Sequence, residues 1–334
     1  MATANTLNVV GPVPFTDVCG ARPDPVAPPN ESNGDDSTAA ASTLIGGSTI
    51  RQVLRLYQGA WLAKMWVPGV VAIQQGSFVP RRGDVVLASQ PKCGTTWLKA
   101  LALATMARSA YPPAHAEHPL LRLNPHDCVP FMEMLFADGT SGRCKMDAMP
   151  SPRLMATHMP HALLPASISD NPDCKTIYIC REPKDMLVSM WQFTRRSNPN
   201  RAFSDVFELA CEGVSASGPI WDHVLGYWNA SKESPERVLF LRYEEILRDP
   251  VENGNRSRRL RSRVIKDIVG LCSFDKLKGL EVNKHAGSHY FFPNSSYFRR
   301  GKAGDWANHM TPEMARRLDV IMEEKLQGSG LSFA

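Results

Sequence analysis

Several features that would classify a chain at once are missing here. The eight cysteines stand at positions 19, 93, 128, 144, 174, 180, 211 and 272, and no two form a C-x-x-C pair. That spacing argues against a zinc ribbon and against a thioredoxin-like redox motif. With no basic n-region at the start, the cysteines read as free thiols of a reducing compartment. No apolar run approaches the ~20 residues that a membrane helix needs. A large excess of one charge is also lacking, since 38 Lys and Arg against 33 Asp and Glu leave +5. This is too mild to imply nucleic acid, but it favours an anionic small ligand if the excess gathers in one cleft. No His, Cys and carboxylate cluster calls for a metal, and no internal repeat is visible. These absences predict a soluble, cytoplasmic protein with no metal, no nucleic-acid partner and no membrane partner.

Residues 1–46 are rich in Ala, Ser, Pro, Asn, Gly and Asp. Their first basic residue is Arg22, and five acidic residues precede Ile45. An Arg-rich, acid-poor transit peptide is therefore disfavoured, and a disordered tail is the reading that composition supports. A globular pattern begins near Ile50. Arg51 to Met65 carries Leu54, Tyr57, Trp61 and Leu62 at helix-like spacing. Asp84–Ser89, Lys175–Cys180 and Val238–Tyr243 are short apolar runs that predict buried strands. Helical patterns occupy Trp97–Arg108, Pro183–Arg195 and Pro219–Ser231. Short strands alternating with helices predict one α/β domain over 47–334, with a central, mainly parallel sheet flanked by helices.

The chemistry is concentrated in three segments. In Pro91-Lys92-Cys93-Gly94-Thr95-Thr96-Trp97, a strand leads through a turn into a helix. The first N–H groups of a helix have no partners within it, and its dipole attracts negative charge. Gly94 permits close backbone approach, Thr95 and Thr96 bring hydroxyls, and Lys92 brings a point charge. Lysine precedes a single glycine, so this is not a Walker A loop, in which lysine follows the second glycine. In the second segment Arg181 ends a strand, Pro183 suits the first turn of a helix, and Ser189 lies two turns along it. The third, Tyr297-Phe298-Arg299-Arg300-Gly301-Lys302-Ala303-Gly304-Asp305-Trp306, is a basic, glycine-containing loop suited to an anion.

Together these segments resemble the cytosolic sulfotransferase family of plant type, whose motifs are P-K-[SC]-G-T-T-W, R-x-x-x-D-x-x-x-S and R-K-G-x-x-G-D-W. The likeness extends from about Tyr57 to Leu331 and includes Asn124-Pro125-His126, Ala156-Thr157-His158-Met159-Pro160 and Gly218–Trp228. It implies a P-loop-NTPase-like fold and transfer of a sulfuryl group from 3′-phosphoadenosine 5′-phosphosulfate (PAPS) to a small hydroxylated acceptor, leaving PAP and needing no metal. By matching positions, Lys92, Cys93, Gly94, Thr95 and Thr96 would bind the 5′-phosphosulfate. Trp97, Tyr243 and Phe274 would enclose the adenine. Arg181, Ser189, Arg299, Arg300 and Gly301 would bind the 3′-phosphate. His158 matches the catalytic base, an imidazole able to accept the acceptor's hydroxyl proton. Lys92 would stabilise charge on the leaving oxygen. His161, where many relatives have Tyr, is read as pocket lining. The stretch from His126 to Glu133 is expected on the acceptor side, in a cleft suited to a flavonoid, steroid or hydroxyjasmonate.

The chain also departs from the family. Residues 250–263 read Pro-Val-Glu-Asn-Gly-Asn-Arg-Ser-Arg-Arg-Leu-Arg-Ser-Arg, where plant relatives have an apolar helix, a Gly-Cys-Pro-Phe-like turn and an acidic stretch. The replacement is about a dozen residues shorter. It reads as a solvated basic loop or a product of altered splicing or gene prediction, ahead of a nucleic-acid or targeting patch. Such a loss could cost several kcal/mol of a ~5–15 kcal/mol stability. The dimerisation run of animal relatives is not intact at Asn308-His309-Met310-Thr311-Pro312, which leaves a monomer or a weak homodimer. Two other readings compete with the sulfotransferase: a nucleotide kinase and a catalytically silent nucleotide-binding protein. The kinase is disfavoured by the lysine position and the lack of a magnesium-binding pair.

Overall fold

A computed structural model describes residues 11–20, 47–249, 262–284, 288–289 and 292–333. The rewritten stretch expected at 250–263 therefore lies outside the described residues, apart from Ser262 and Arg263, which open the helix Ser262–Leu271.

Leu54–Tyr57 (β1) and Ala60–Ala63 (β2) form an antiparallel hairpin, with Leu54 opposite Ala63 and Tyr57 opposite Ala60. This corrects the helix expected from Arg51 to Met65. Helix Gly47–Val53 stops where the hairpin begins. Gln58 and Gly59 both have positive φ, 46° and 83°, the pairing that a two-residue turn needs to match strand twist. The backbone of Trp61 pairs with Ser217 and Gly218 at 2.7 and 2.8 Å. Apolar residues three and four apart fit a helix face, but a distant segment supplies the hydrogen bonds of a strand.

The central sheet contains Val85–Ser89 (β3), Leu154–Thr157 (β4), Lys175–Cys180 (β5) and Val238–Arg242 (β6). They are all parallel, in the order β4-β3-β5-β6. Three match the apolar runs of the sequence. β4 is an addition, since four residues ending on the Thr of Thr157-His158-Met159-Pro160 give too short a pattern to read. Strand periodicity divides the core. Val86, Ala88, Met155, Tyr178 and Cys180 face one apolar cluster, whereas Leu87, Leu154, Ala156 and Ile179 face the other. Helix Thr95–Met106 covers the second face with Leu98 and Leu103, and Pro183–Thr194 covers the first with Met186 and Val188. The two ends of the sheet differ. At its amino end the buried pair Asp84–Arg153 ties β3 to β4 at 2.6 Å. At its carboxyl end four loops open together, as ligand sites of open parallel sheets do.

The tail expected to be disordered over 1–46 is not so over residues 11–20. Phe15–Cys19 forms a short helix, Val13 and Phe15 are buried in the core, Gly11 N donates to Ser151 O at 3.0 Å, and Asp17 pairs with Arg122. Two apolar residues that find a core groove outweigh a composition that otherwise favours disorder. Phe15→Ala is expected to lower stability by about 3 kcal/mol, read from the midpoint of a denaturant titration. An unchanged midpoint would mean that the segment does not dock.

Pro312, at which the animal dimerisation run breaks, occupies the first turn of helix Pro312–Leu326, capped by Thr311 Oγ1 accepting from Met314 N at 3.2 Å. Among the described residues no helix is long and apolar enough to cross a membrane.

Candidate active site

The carboxyl end of each central strand delivers one part of a single cavity of about 780 Å³. β3 runs into the Lys92 loop, β4 into His158, β5 into Arg181 and β6 into Tyr243, and all four residues line the cavity. Lys92 has a φ of 70°, a conformation costing a non-glycine residue about 1 kcal/mol or more. Gly94 follows with a φ of 98°, and a Cβ there would stand 2.7 Å from the Tyr243 ring. The loop is thus folded tightly under an aromatic wall. Gly301, at φ 64°, is pressed against Phe274 in the same way, and a Cβ would overlap that ring.

One end of the cavity is cationic. Lys92, Arg181, Arg299, Arg300 and Lys302 line it, and among the described residues Glu133 is the only carboxylate in its lining. Arg181 is buried, donates to Lys92 O at 3.3 Å and Lys302 O at 3.0 Å, and leaves Nε without a partner among the described residues. An orphaned guanidinium N–H in a cationic cavity suits an anionic ligand. Arg299 and Arg300 both pair with Asp305, and Asp185 accepts from Gly304 N at 2.6 Å and Trp306 N at 3.0 Å. The loop is held on the helix that carries Ser189, which also lines the cavity. Lys92 Nζ lies 3.8 Å from the centre of the Phe193 ring. Desolvation, and then Arg181, Arg299 and Arg196, lower its pKa to about 7. Trp97 and Tyr243 meet edge to face at 5.7 Å, and with Phe274 they make this end aromatic as well as basic.

His158 is held from several sides. Its ring Nδ1 is 2.7 Å from Ser89 O. A carbonyl only accepts, so Nδ1 carries the proton and Nε2 the lone pair. The main-chain N–H of His158 donates to Glu133 Oε1 at 2.7 Å, and Thr157 Oγ1 donates to Glu133 Oε2 at 2.9 Å. His223 Nε2 reaches His158 O at 3.3 Å, while His223 Nδ1 faces Tyr178 Oη at 3.0 Å. Phe131 and Trp66 flank the ring, their centres 4.5 and 5.4 Å away. Burial in this wall lowers the His158 pKa to about 3, the Ser89 hydrogen bond opposing and Lys99, His223 and Lys92 adding. The imidazole is therefore neutral across the physiological range.

Beyond His158 the lining turns apolar, with Trp66, Phe131, Met134, Met190, Val206 and Leu209.

Twelve of the thirteen residues expected to hold the donor line this cavity: Lys92, Gly94, Thr95, Thr96, Trp97, Arg181, Ser189, Tyr243, Phe274, Arg299, Arg300 and Gly301. Cys93 does not. Its thiol is buried in the core, where desolvation raises its pKa to about 12, and its N–H is turned to Gln90 O at 3.3 Å. His161 does not line the cavity either, and packs against Tyr227 at 5.2 Å. Sequence reasoning missed Glu133, Ser89 and His223 as the frame of His158. No local pattern marks them, because each lies 24 residues or more from the elements it braces.

The chain is similar to known proteins over most of its length. The sulfotransferase domain pattern matches residues 82–330. Cytosolic sulfotransferase 1 of Arabidopsis thaliana is 42% identical over 295 residues, covering 83% of this chain and 88% of that protein. Among solved structures, an Arabidopsis thaliana putative steroid sulphotransferase is 34% identical with a TM-score of 0.67, covering 84% of this chain and 89% of the other. A mouse sulfotransferase complexed with PAP is 26% identical with a TM-score of 0.65, over 83% and 96% of the two chains. Four strand ends converging on one basic and aromatic cavity, and this likeness across the whole domain, lead to one conclusion: the chain belongs to the plant cytosolic sulfotransferase family.

Proposed function

We propose that this protein is a cytosolic enzyme that transfers the sulfuryl group of PAPS to a hydroxyl of a small, largely apolar metabolite, with His158 as base. The supporting observation is that one cavity joins a cationic, aromatic end to an apolar end, with Lys92 and His158 both on its wall. In this reading the Lys92 loop holds the 5′-phosphosulfate, Trp97, Tyr243 and Phe274 enclose the adenine, and Arg181, Ser189, Arg299, Arg300 and Gly301 hold the 3′-phosphate. Cys93 contributes through the shape of the loop rather than its side chain. The acceptor oxygen attacks sulfur in line, its proton passes to His158 Nε2, and the sulfur–oxygen bond to the nucleotide breaks. The electron pair stays on the departing PAP oxygen, beside the Lys92 ammonium. The protein acts as a monomer or a weak homodimer, without nucleic acid or membrane.

The reading is tested by incubating the full chain with sulfate-labelled PAPS and a panel of flavonols, hydroxysteroids and hydroxyjasmonates. Label is expected in one or more acceptors, with PAP released in equal amount. Phosphoryl transfer from ATP and magnesium, with no turnover of PAPS, would instead establish a kinase. PAP binding without turnover of any acceptor would favour a silent nucleotide-binding protein.

A further inference from the structure

Behind the donor loop lies a buried polar chain that sulfuryl transfer itself does not employ. Lys99, one turn beyond Thr96 on helix Thr95–Met106, is fully buried. Its Nζ donates to Val129 O at 2.8 Å, lies 3.0 Å from His126 Nδ1, and sits 3.5 Å from the centre of the Phe131 ring. A carbonyl and an aromatic face are the surroundings of an ammonium, and an ammonium has no lone pair, so Nδ1 of His126 must accept. In the neutral imidazole the proton then resides on Nε2, which is 2.9 Å from Thr96 Oγ1.

The segment that carries His126 is anchored as well. Asn124 Oδ1 accepts from His126 N at 2.9 Å within a capping box, Asn124 Nδ2 is anchored to Asn283 Oδ1 at 2.7 Å, and the Tyr297 ring lies 4.2 Å away. The two threonines of the loop consequently differ. Thr95 Oγ1 is engaged with Ser89 Oγ at 2.7 Å beneath the loop. Thr96 Oγ1 receives a hydrogen bond from His126, so its own proton must point elsewhere, and Thr96 lines the cavity. The carbonyl four residues back, to which a helical threonine commonly turns, is Lys92 O, which accepts from Arg181 and, among the described residues, not from Thr96.

We infer that Lys99 and His126 are positioning residues that set the Thr96 hydroxyl as a hydrogen-bond donor toward the anionic end of the nucleotide. The inference rests on the reading of the Lys92 loop as the phosphosulfate site. It gives a neutral hydroxyl the fixed polarity that a backbone N–H has by nature. It also places one buried positive charge behind the anion, two hydrogen bonds from the Thr96 hydroxyl.

Two measurements test it on the full chain. The first is a double-mutant cycle read by calorimetric binding of PAP, with a thermal melt of each variant to confirm folding. Thr96→Val and His126→Phe are each expected to weaken binding about tenfold, as loss of a hydrogen bond to a charged group does, and the double variant no further than the weaker single. Independent losses that multiply in the double variant, or parental affinity in His126→Phe, would overturn the inference. If the parent itself fails to bind PAP, the donor reading fails instead. The second is the ¹⁵N spectrum of the histidines in the unliganded parent, which needs no variant to fold. His126 is expected as the Nε2–H tautomer, and an Nδ1–H tautomer or an imidazolium would overturn the inference.

Discussion

Replacing His158 with alanine is expected to reduce sulfuryl transfer by about 10²–10⁴-fold, the contribution of a positioned general base, while PAP binds within a few fold of the parental affinity. The expectation follows from the way the ring is held. Ser89 O fixes the Nδ1 proton, so Nε2 is the free lone pair, and Glu133 and His223 fix the main chain on either side. A pKa lowered to about 3 keeps that lone pair available at any pH near neutrality. No acid limb of kcat/KM for PAPS between about pH 5 and 8, a parameter that reports the free protein, should therefore be traceable to this histidine. So low a pKa also makes the imidazole a weak base in the empty site. The polyanionic donor changes this, because its negative charge offsets the repulsion of Lys92 and Lys99 and favours the imidazolium formed during transfer. Turnover and PAP affinity measured on the alanine variant check the prediction. A variant retaining more than about a tenth of parental turnover would remove His158 from the role.

The second large effect concerns Lys92. Lys92→Met is expected to lower transfer by about 10²–10³-fold, the scale of losing one donor at a site of developing charge, and to abolish a pH dependence that the parent shows. Desolvation comes first, and three neighbouring arginines next, in lowering the Lys92 pKa of the free protein to about 7. Anionic oxygens beside the amine raise it again once the nucleotide is bound. Below pH 7 the lysine is cationic before and after binding, and no proton is exchanged. Above pH 7 the free protein has lost that proton, and binding must take one up. Nucleotide affinity therefore falls as pH rises through 7, by up to tenfold per pH unit, and kcat/KM for PAPS falls with it. Calorimetry of PAP binding in buffers of different ionisation enthalpy should record uptake approaching one proton at about pH 8.5 in the parent and none from this group in the methionine variant. Equal affinities at about pH 6.5 and 8.5 in the parent would show that Lys92 stays charged throughout.

The sequence by itself determined whatever depends on near neighbours in the chain. The apolar runs at Val85–Ser89 and Lys175–Cys180 are largely buried inner strands, and Val238–Arg242 is the half-buried edge strand, but all three are short, continuous apolar runs that read as strands without further help. Pro183 and the Gly94 turn mark helix starts by their own backbone limits. The Lys92 loop, with its lysine ahead of one glycine, carried the family resemblance for the same reason.

Tertiary structure decided what depends on groups far apart in the chain. Leu54, Tyr57, Trp61 and Leu62 satisfy a helix face, yet the stretch is a hairpin whose second strand also pairs through Trp61 with the distant Ser217 and Gly218. Val13 and Phe15 sit in a composition typical of disorder, yet a groove in the core orders them. The four residues of β4 are a strand because Val85–Ala88 lies beside them. Cys93 stands in the Lys92 loop motif, yet the fold turns its thiol inward. The proton positions of His158 and His126 and the depressed pKa of Lys92 belong to this second kind as well. Ser89 lies 69 residues from His158, and Lys99 lies 27 from His126. Local sequence selects a residue type at a site. Its charge and tautomer are set by desolvation and by hydrogen-bond partners that only folding brings within reach.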